Sequence, residues 1–289
     1  MGFFVLVIKV RHYLSMLESS QNMNALLRAV ALGYAYNATP VLKNIHLEMH
    51  PGEMVGIIGP NGAGKSTLIK LLAGILPLQK GQVYINDDKL SAINRKRLAR
   101  LLSYVPQSVD LYFDFTAEQV ISMGRYPFLK GLGFLDEGAR PAIEHALDIT
   151  DLKTMRYRSF LTLSGGEKQR TIIASALAQQ TNILLLDEPT SSLDLKHQQQ
   201  IYRILQRLSR EENKLVVLVT HDINLSAQFC DRLILLDKGK IIADGRPEKV
   251  LKFQLIQQVY GVKVYIDVNP FTDTLYILPY DTKDDEKDE

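Results

Sequence analysis

Four stretches of this 289-residue chain are almost continuously apolar, and a polar residue follows each within a few positions. They are Met54-Val55-Gly56-Ile57-Ile58, Leu101-Leu102-Ser103-Tyr104-Val105, Ile183-Leu184-Leu185-Leu186 and Leu215-Val216-Val217-Leu218-Val219. A strand with one face in water alternates apolar and polar residues, whereas a strand covered on both faces does not. Runs of this kind predict a mainly parallel sheet, and the segments between them are long enough for crossover helices. Ligands of an open parallel sheet collect beyond the carboxyl ends of its strands. The residues just beyond the four runs are therefore the first candidates for chemistry.

The first run leads straight into Gly59-Pro60-Asn61-Gly62-Ala63-Gly64-Lys65-Ser66-Thr67, with two glycines five apart followed by lysine and a hydroxyl residue. That is the phosphate-binding loop pattern, in the strand–loop–helix setting it requires. Its glycines let backbone N–H groups turn inward around a triphosphate, and the following helix N-terminus adds positive potential. Lys65 is expected to reach the β- and γ-phosphates and Ser66 to ligate Mg²⁺. The other runs end in Gln107, in Asp187-Glu188 and, after Thr220, in His221. Asp187 is expected to hold Mg²⁺, Glu188 to polarise the attacking water, Gln107 to bridge metal and water, and His221 to donate to the γ-phosphate. His12, His46, His50, His145 and His197 read as surface or satisfied side chains.

Around this parallel core the pattern changes. From Ala25 onward apolar and polar residues alternate, and residues 25–90 predict a small antiparallel sheet interrupted by the first apolar run. Residues 111–160 lack any such run and read as mostly helical, with breaks at Pro127 and at Gly131-Leu132-Gly133. Leu233–Leu236 and Lys240–Ala243 flank Asp237-Lys238-Gly239 and predict a hairpin. Residues 1–22 look foreign to the patterned chain beyond them and form an extension of unclear role, and 281–289 is almost all charge and predicts a disordered acidic tail. The net charge of +2 gives no reason to expect nucleic acid as a partner. Cys230 is the single cysteine, so no internal disulfide is possible. The longest N-terminal apolar run, Phe3 to Ile8, is far short of the ~20 residues of a membrane-spanning helix. Membrane spans, if the process needs them, must come from other subunits.

One more segment bears on assembly. In Leu163-Ser164-Gly165-Gly166-Glu167, Ser164 and Glu167 have the spacing of a capping box at a helix start. The two glycines leave backbone N–H groups accessible there, which makes a second anion-binding helix end. If both ends faced one nucleotide within a single chain, residues 111–160 would have to fold back over the pocket. A two-fold dimer avoids this by placing Gly59–Thr67 of one copy opposite Ser164–Glu167 of a second.

The order of phosphate loop, Gln107, Leu163–Glu167, Asp187-Glu188, Ser191-Ser192-Leu193-Asp194 and His221 resembles the ABC ATPase domain over roughly residues 24–245. The resemblance implies an α/β P-loop fold with a mainly parallel core sheet, a small antiparallel β subdomain and an inserted helical subdomain at about 108–163. The ATPase domain as a whole would span 23–280, with a C-terminal segment at about 246–280. The resemblance further implies ATP and Mg²⁺ as cofactors, Leu163–Glu167 as the signature motif completing the partner's site, and Asp194 in the loop that couples the two sites. An aromatic residue should stack on adenine. Tyr36 has the favoured spacing from Val41, with Tyr34 as its rival. Ser192 stands where the family often has alanine, which removes no catalytic group.

Within the family, Met123-Gly124-Arg125-Tyr126-Pro127, Val259-Tyr260-Gly261-Val262 and the ending Asn269-Pro270 to Ile277-Leu278-Pro279 are similar to the importers of ferric siderophores, haem and cobalamin. That similarity implies an ATPase peripheral to the cytoplasmic side of the membrane, working as a dimer with two transmembrane permease subunits and, indirectly, an extracytoplasmic substrate-binding protein. An exporter subunit, a DNA clamp and a soluble translation ATPase are the alternatives. The clamp would need a long heptad-patterned insertion where only 108–163 is available, and the translation factor would need two sets of motifs.

Overall fold

The computed structural model describes residues 25–109, 111, 113–129 and 136–281. The expectations placed on residues 1–22, on 282–289 and on the Gly131-Leu132-Gly133 break lie outside them.

Strands β1 (Leu27–Tyr36), β2 (Thr39–Met49), β4 (Lys80–Ile85) and the short β5 (Asp88–Lys89) form an antiparallel sheet in the order β2-β1-β4-β5. Inserted between β2 and β4 are β3 (Met54–Ile58) and helix α1 (Lys65–Leu72), which belong to the second sheet. That sheet continues through α2 (Arg95–Leu101), β6 (Leu102–Val105), β7 (Ile183–Asp187) and β8 (Leu215–Val219), and ends with β9 (Arg232–Asp237) and β10 (Lys240–Gly245). Its order is β10-β9-β3-β8-β7-β6. The β3–β8, β3–β9, β6–β7 and β7–β8 pairs are parallel, and β10 returns antiparallel on β9 as the expected hairpin. Its two turn residues, Lys238 and Gly239, both take positive φ, the geometry that matches the twist of paired strands.

The continuous apolar runs are explained by what covers the sheet. Met54, Ile58, Leu184, Leu186, Val216 and Leu218 point into one core, while Val55, Ile57, Ile183, Leu185, Val217 and Val219 point into another. Every residue of β3, β7 and β8 is buried. Each such aliphatic side chain contributes about 1.5–3 kcal/mol by leaving water, so a polar residue without a partner would be costly on either face. The second core is shared with the antiparallel sheet and α1. The first is built by helices α4 (Ala139–Ile149), α5 (Gly165–Ala178), α6 (Leu195–Glu212) and α7 (Ile223–Phe229).

Helix α3 (Ala117–Met123) precedes α4 and begins at a Thr116–Gln119 capping box. Pro127 sits in a 3₁₀ turn, Tyr126–Phe128, where a helix break was expected. Leu101 differs from expectation: it is the last residue of α2, not the first of β6. No glycine or proline separates that helix from its strand, so the apolar run crosses the boundary unmarked. After β10 come α8 (Pro247–Val250), α9 (Phe253–Tyr260) and a separate hairpin of β11 (Val264–Asn269) and β12 (Thr274–Pro279). Ile256, Val259, Val264 and Ile277 anchor this ending to the helical core.

A candidate nucleotide site at the carboxyl edge of the sheet

The loop after β3 can turn only because of its glycines. Gly59 has φ 149°, and a Cβ there would lie 2.1 Å from the Leu236 carbonyl oxygen. Gly64, with φ 103°, caps α1 in the left-handed region, and a Cβ there would meet Leu42 Cδ2 at 2.8 Å. The loop is held from outside by Gly239, whose N–H donates to Ala63 O and whose own carbonyl accepts from Lys43 N. Lys65 lies under the loop, 5% exposed, and its Nζ donates to the carbonyls of Gly59 (2.8 Å) and Pro60 (3.0 Å). Burial pulls the Lys65 ammonium below the usual lysine range, and the negative charges of Glu188 and Asp187 oppose that shift. Asn61 and Gly62 at the loop's tip are exposed, Pro60 and Ser66 half-buried, Ala63 and Thr67 buried.

Asp187 ends β7 and is 1% exposed. Its Oδ1 accepts from Ser66 Oγ at 2.9 Å, its Oδ2 accepts from Tyr104 OH at 3.3 Å, and Lys70 Nζ stands 3.8 Å from Oδ2. Burial, and then the Asp187 charge, push the Tyr104 phenol well above its ordinary range. Tyr104 and Lys70 were not singled out from sequence. The alternation along β6 gives the side of the sheet Tyr104 faces, but not its partner on the neighbouring strand.

Glu188 is built differently. It takes a left-handed φ of 51°, a conformation that non-glycine residues adopt at a cost of about 1–3 kcal/mol. Its N–H donates to Val219 O at 3.0 Å, so the adjacent strand holds it there. Its Oε2 accepts from Gln107 Nε2 at 2.8 Å, and its Oε1 lies 2.7 Å from His221 Nε2. Three residues from the ends of three different strands thus meet at one carboxylate. Thr220 braces His221 from behind, accepting from Tyr202 OH (3.0 Å) and from the Asp222 N–H (3.1 Å).

Ser164, Gly165, Gly166, Glu167 and Asp194 form a second group. The capping box is present: Ser164 Oγ accepts from Glu167 N (3.4 Å) and Glu167 Oε2 accepts from Ser164 N (2.7 Å). That Ser164 N–H holds the Glu167 carboxyl below its usual range, helped by the Arg158 guanidinium 3.7 Å away. Asp194 caps α6 by accepting from His197 N (3.0 Å), and its Oδ1 lies 2.8 Å from His197 Nδ1. A Cβ at Gly166 would fall 2.4 Å from the His197 ring, so the glycine lets that ring rest on the start of α5. His197 is satisfied, as expected. It also joins the first turn of α5 to the Asp194 loop, which its spacing did not reveal. Of the two candidate tyrosines, Tyr34 is 8% exposed and Tyr36 is 46% exposed, with their rings edge to face at 4.9 Å.

The family model described as ABC transporter matches residues 42–191. Over 233 residues the chain is 39% identical to the petrobactin import ATP-binding protein of Bacillus anthracis, covering 81% of this chain and 86% of that one. It is 38% identical over 253 residues to the hemin import ATP-binding protein of Rhodococcus jostii, covering 88% and 86%. Superposition on an inward-facing ABC transporter described as of metal-chelate type gives a TM-score of 0.79 at 26% identity, over 90% of this chain and 98% of that one. A dimeric bacterial ABC transporter cassette gives 0.67 at 30% identity, over 76% and 98%. The chain belongs to the ABC transporter family, as an ATP-binding subunit whose hydrolysis of ATP is coupled to transport.

Proposed function

We propose that this chain powers the import of a metal chelate (a ferric siderophore, haem or cobalamin) as one of two identical ATPases docked on two membrane permease subunits. An extracytoplasmic substrate-binding protein would deliver the cargo. The relatives named for petrobactin and hemin import support this direction and this class of cargo. Among the described residues no helix is long and apolar enough to cross a membrane, which is consistent with peripheral attachment at the cytoplasmic face. Residues 23–280 would act as the ATPase domain, with 108–163 as its helical subdomain and 246–280 as its C-terminal segment.

The observation that carries the catalytic reading is Glu188, held between Gln107 and His221 one residue beyond the Asp187–Ser66 pair. Gly59–Thr67 would wrap the triphosphate, and Lys65 would exchange its two loop carbonyls for phosphate oxygens. The more exposed Tyr36 would stack on adenine. Ser66, Asp187 and the amide oxygen of Gln107 are hard oxygen donors suited to Mg²⁺, which takes few protein ligands and leans on substrate phosphates. Consistently, no cluster of three or more His, Cys, Asp or Glu side chains that could hold a metal occurs among the described residues. Mg²⁺ would supply charge neutralisation on the phosphate oxygens. Glu188 would orient a water and accept its proton as it attacks the γ-phosphorus, and His221 would donate to the γ-phosphate as the bond to ADP breaks. Ser164–Glu167 of the second copy would close the site from the other side, with Asp194 linking the two halves.

Glu188→Gln tests this reading. The variant keeps both neighbouring contacts within reach, so ATP binding should persist while turnover nearly vanishes and an ATP-bound dimer accumulates on a sizing column. Hydrolysis at the parent rate would sink the assignment.

A further inference from the structure

The C-terminal hairpin carries a contact that the ATPase reading does not use. A two-stranded hairpin is marginal by itself, and this one leans on the helix just after His221. Asn224, in the first turn of α7, donates from Nδ2 to Ile277 O (3.2 Å) and accepts at Oδ1 from Ile277 N (2.7 Å). One side-chain amide thus pairs with the edge of β12 as another strand would. Upstream, Asp222 caps α7 by accepting from Leu225 N at 2.8 Å and donates its own N–H to Thr220 Oγ1 at 3.1 Å, so hydrogen bonds flank His221 and the helix start that carries Asn224. Between hairpin and catalytic residues lies a cleft of about 500 Å³ lined by Glu188, Thr220, His221, Asn224, Ile277 and Pro279. Packing does not fill the space beside His221, and the Asn224–Ile277 pair forms part of its wall.

We infer that Asn224 is a positioning residue for His221, through which the C-terminal hairpin sets the distance between His221 and Glu188. The inference rests on the catalytic roles proposed above for those two residues. The hairpin acts as a brace: Ile277 is fixed by its place in the core, Asn224 is fixed by Ile277, and His221 lies three residues upstream, just before the Asp222 cap of the same helix.

A mutant cycle on the full-length chain tests this. Asn224→Ala should lower kcat for ATP roughly tenfold, the scale of two lost hydrogen bonds, with KM for ATP unchanged within about twofold. Asn224→Asp keeps the acceptor for the Ile277 N–H and suits a helix N-terminus, but it sets its second oxygen against the Ile277 carbonyl, so it should fold and also lose turnover. If Asn224 acts through His221, His221→Ala combined with Asn224→Ala is no slower than His221→Ala alone. Multiplying losses, or parent kcat in both Asn224 variants, would overturn the inference. If His221→Ala itself hydrolyses ATP normally, the reading beneath it fails instead.

Discussion

The two helix N-termini to which phosphate binding is assigned above are built in opposite ways. Helix α1 starts at Gly64 in the left-handed region, with no side-chain cap and no acidic residue in its first turn. Helix α5 starts at Ser164 with a complete capping box and carries Glu167 in its first turn. The first N-terminus has no internal anion competing for its N–H groups, and a buried lysine beside it. The second has already satisfied one N–H with Ser164 Oγ and placed a carboxylate beside its positive end. On the function proposed above, an end of the first kind would bind triphosphate within one chain, and an end of the second kind would complete a site brought by a second copy.

The sharpest way to break this contrast is at Lys65. Its ammonium is held by two carbonyls of its own loop, contacts that phosphate oxygens replace with charge-assisted bonds worth about 1.5–3 kcal/mol each. Lys65→Ala should therefore weaken ATP binding by on the order of a hundredfold, measured by titration of the isolated chain. Ser164→Ala should leave that isolated-chain affinity within about twofold if, as proposed, its helix end would meet only the other copy's nucleotide. Equal losses in the two variants would put both helix ends on one nucleotide and remove the case for a shared site.

A second prediction sharpens the α5 side. Gly166→Ala would drive a methyl group to 2.4 Å from the His197 ring, the group that also holds Asp194. Overpacking of this kind costs about 1–3 kcal/mol, which should appear in the denaturant midpoint. His197→Ala in the same chain should restore most of it. If the double variant is no more stable than Gly166→Ala alone, the contact between signature turn and Asp194 loop is not the source of the strain.

The same contrast shows what could be read from sequence. The phosphate loop and capping box were legible because each is a local arrangement whose spacing carries its own physics, as at Gly59–Lys65 and Ser164–Glu167. The four central strands were legible because burial on both faces leaves few polar residues to break the run, Ser103 being one that is buried with a partner in Thr181. Contacts between distant segments were not. Nothing near Gly166 announces that His197 will lie against it, and the Tyr104–Asp187 bond spans neighbouring strands far apart in the chain. The β11–β12 hairpin was not read from the sequence, although Val264, Ile266 and Val268 alternate with Tyr265, Asp267 and Asn269 along β11. The left-handed Glu188 was also invisible, because its conformation is imposed by Val219 on the next strand and not by its own residue type.

The smallest expected effect lies in the carboxylate that distinguishes α5 from α1. Glu167 stays ionised to lower pH in the folded chain than in the unfolded one, chiefly because it accepts from the Ser164 N–H. The unfolded state therefore binds this proton more readily, and the stabilisation is fully present above the ordinary carboxyl value of 4.5. It drains away as pH falls through the depressed folded value. Glu167→Gln keeps an oxygen for the Ser164 N–H but loses the charge at the helix's positive end. It should cost about 0.3–1 kcal/mol at neutral pH, and the gap to the parent should close in acid. Denaturant melts at neutral pH and near pH 3 test this directly. A gap that stays constant between them would mean that the carboxylate's charge does not support the α5 start, leaving the side-chain cap and the buried lysine as what separates the two helix ends.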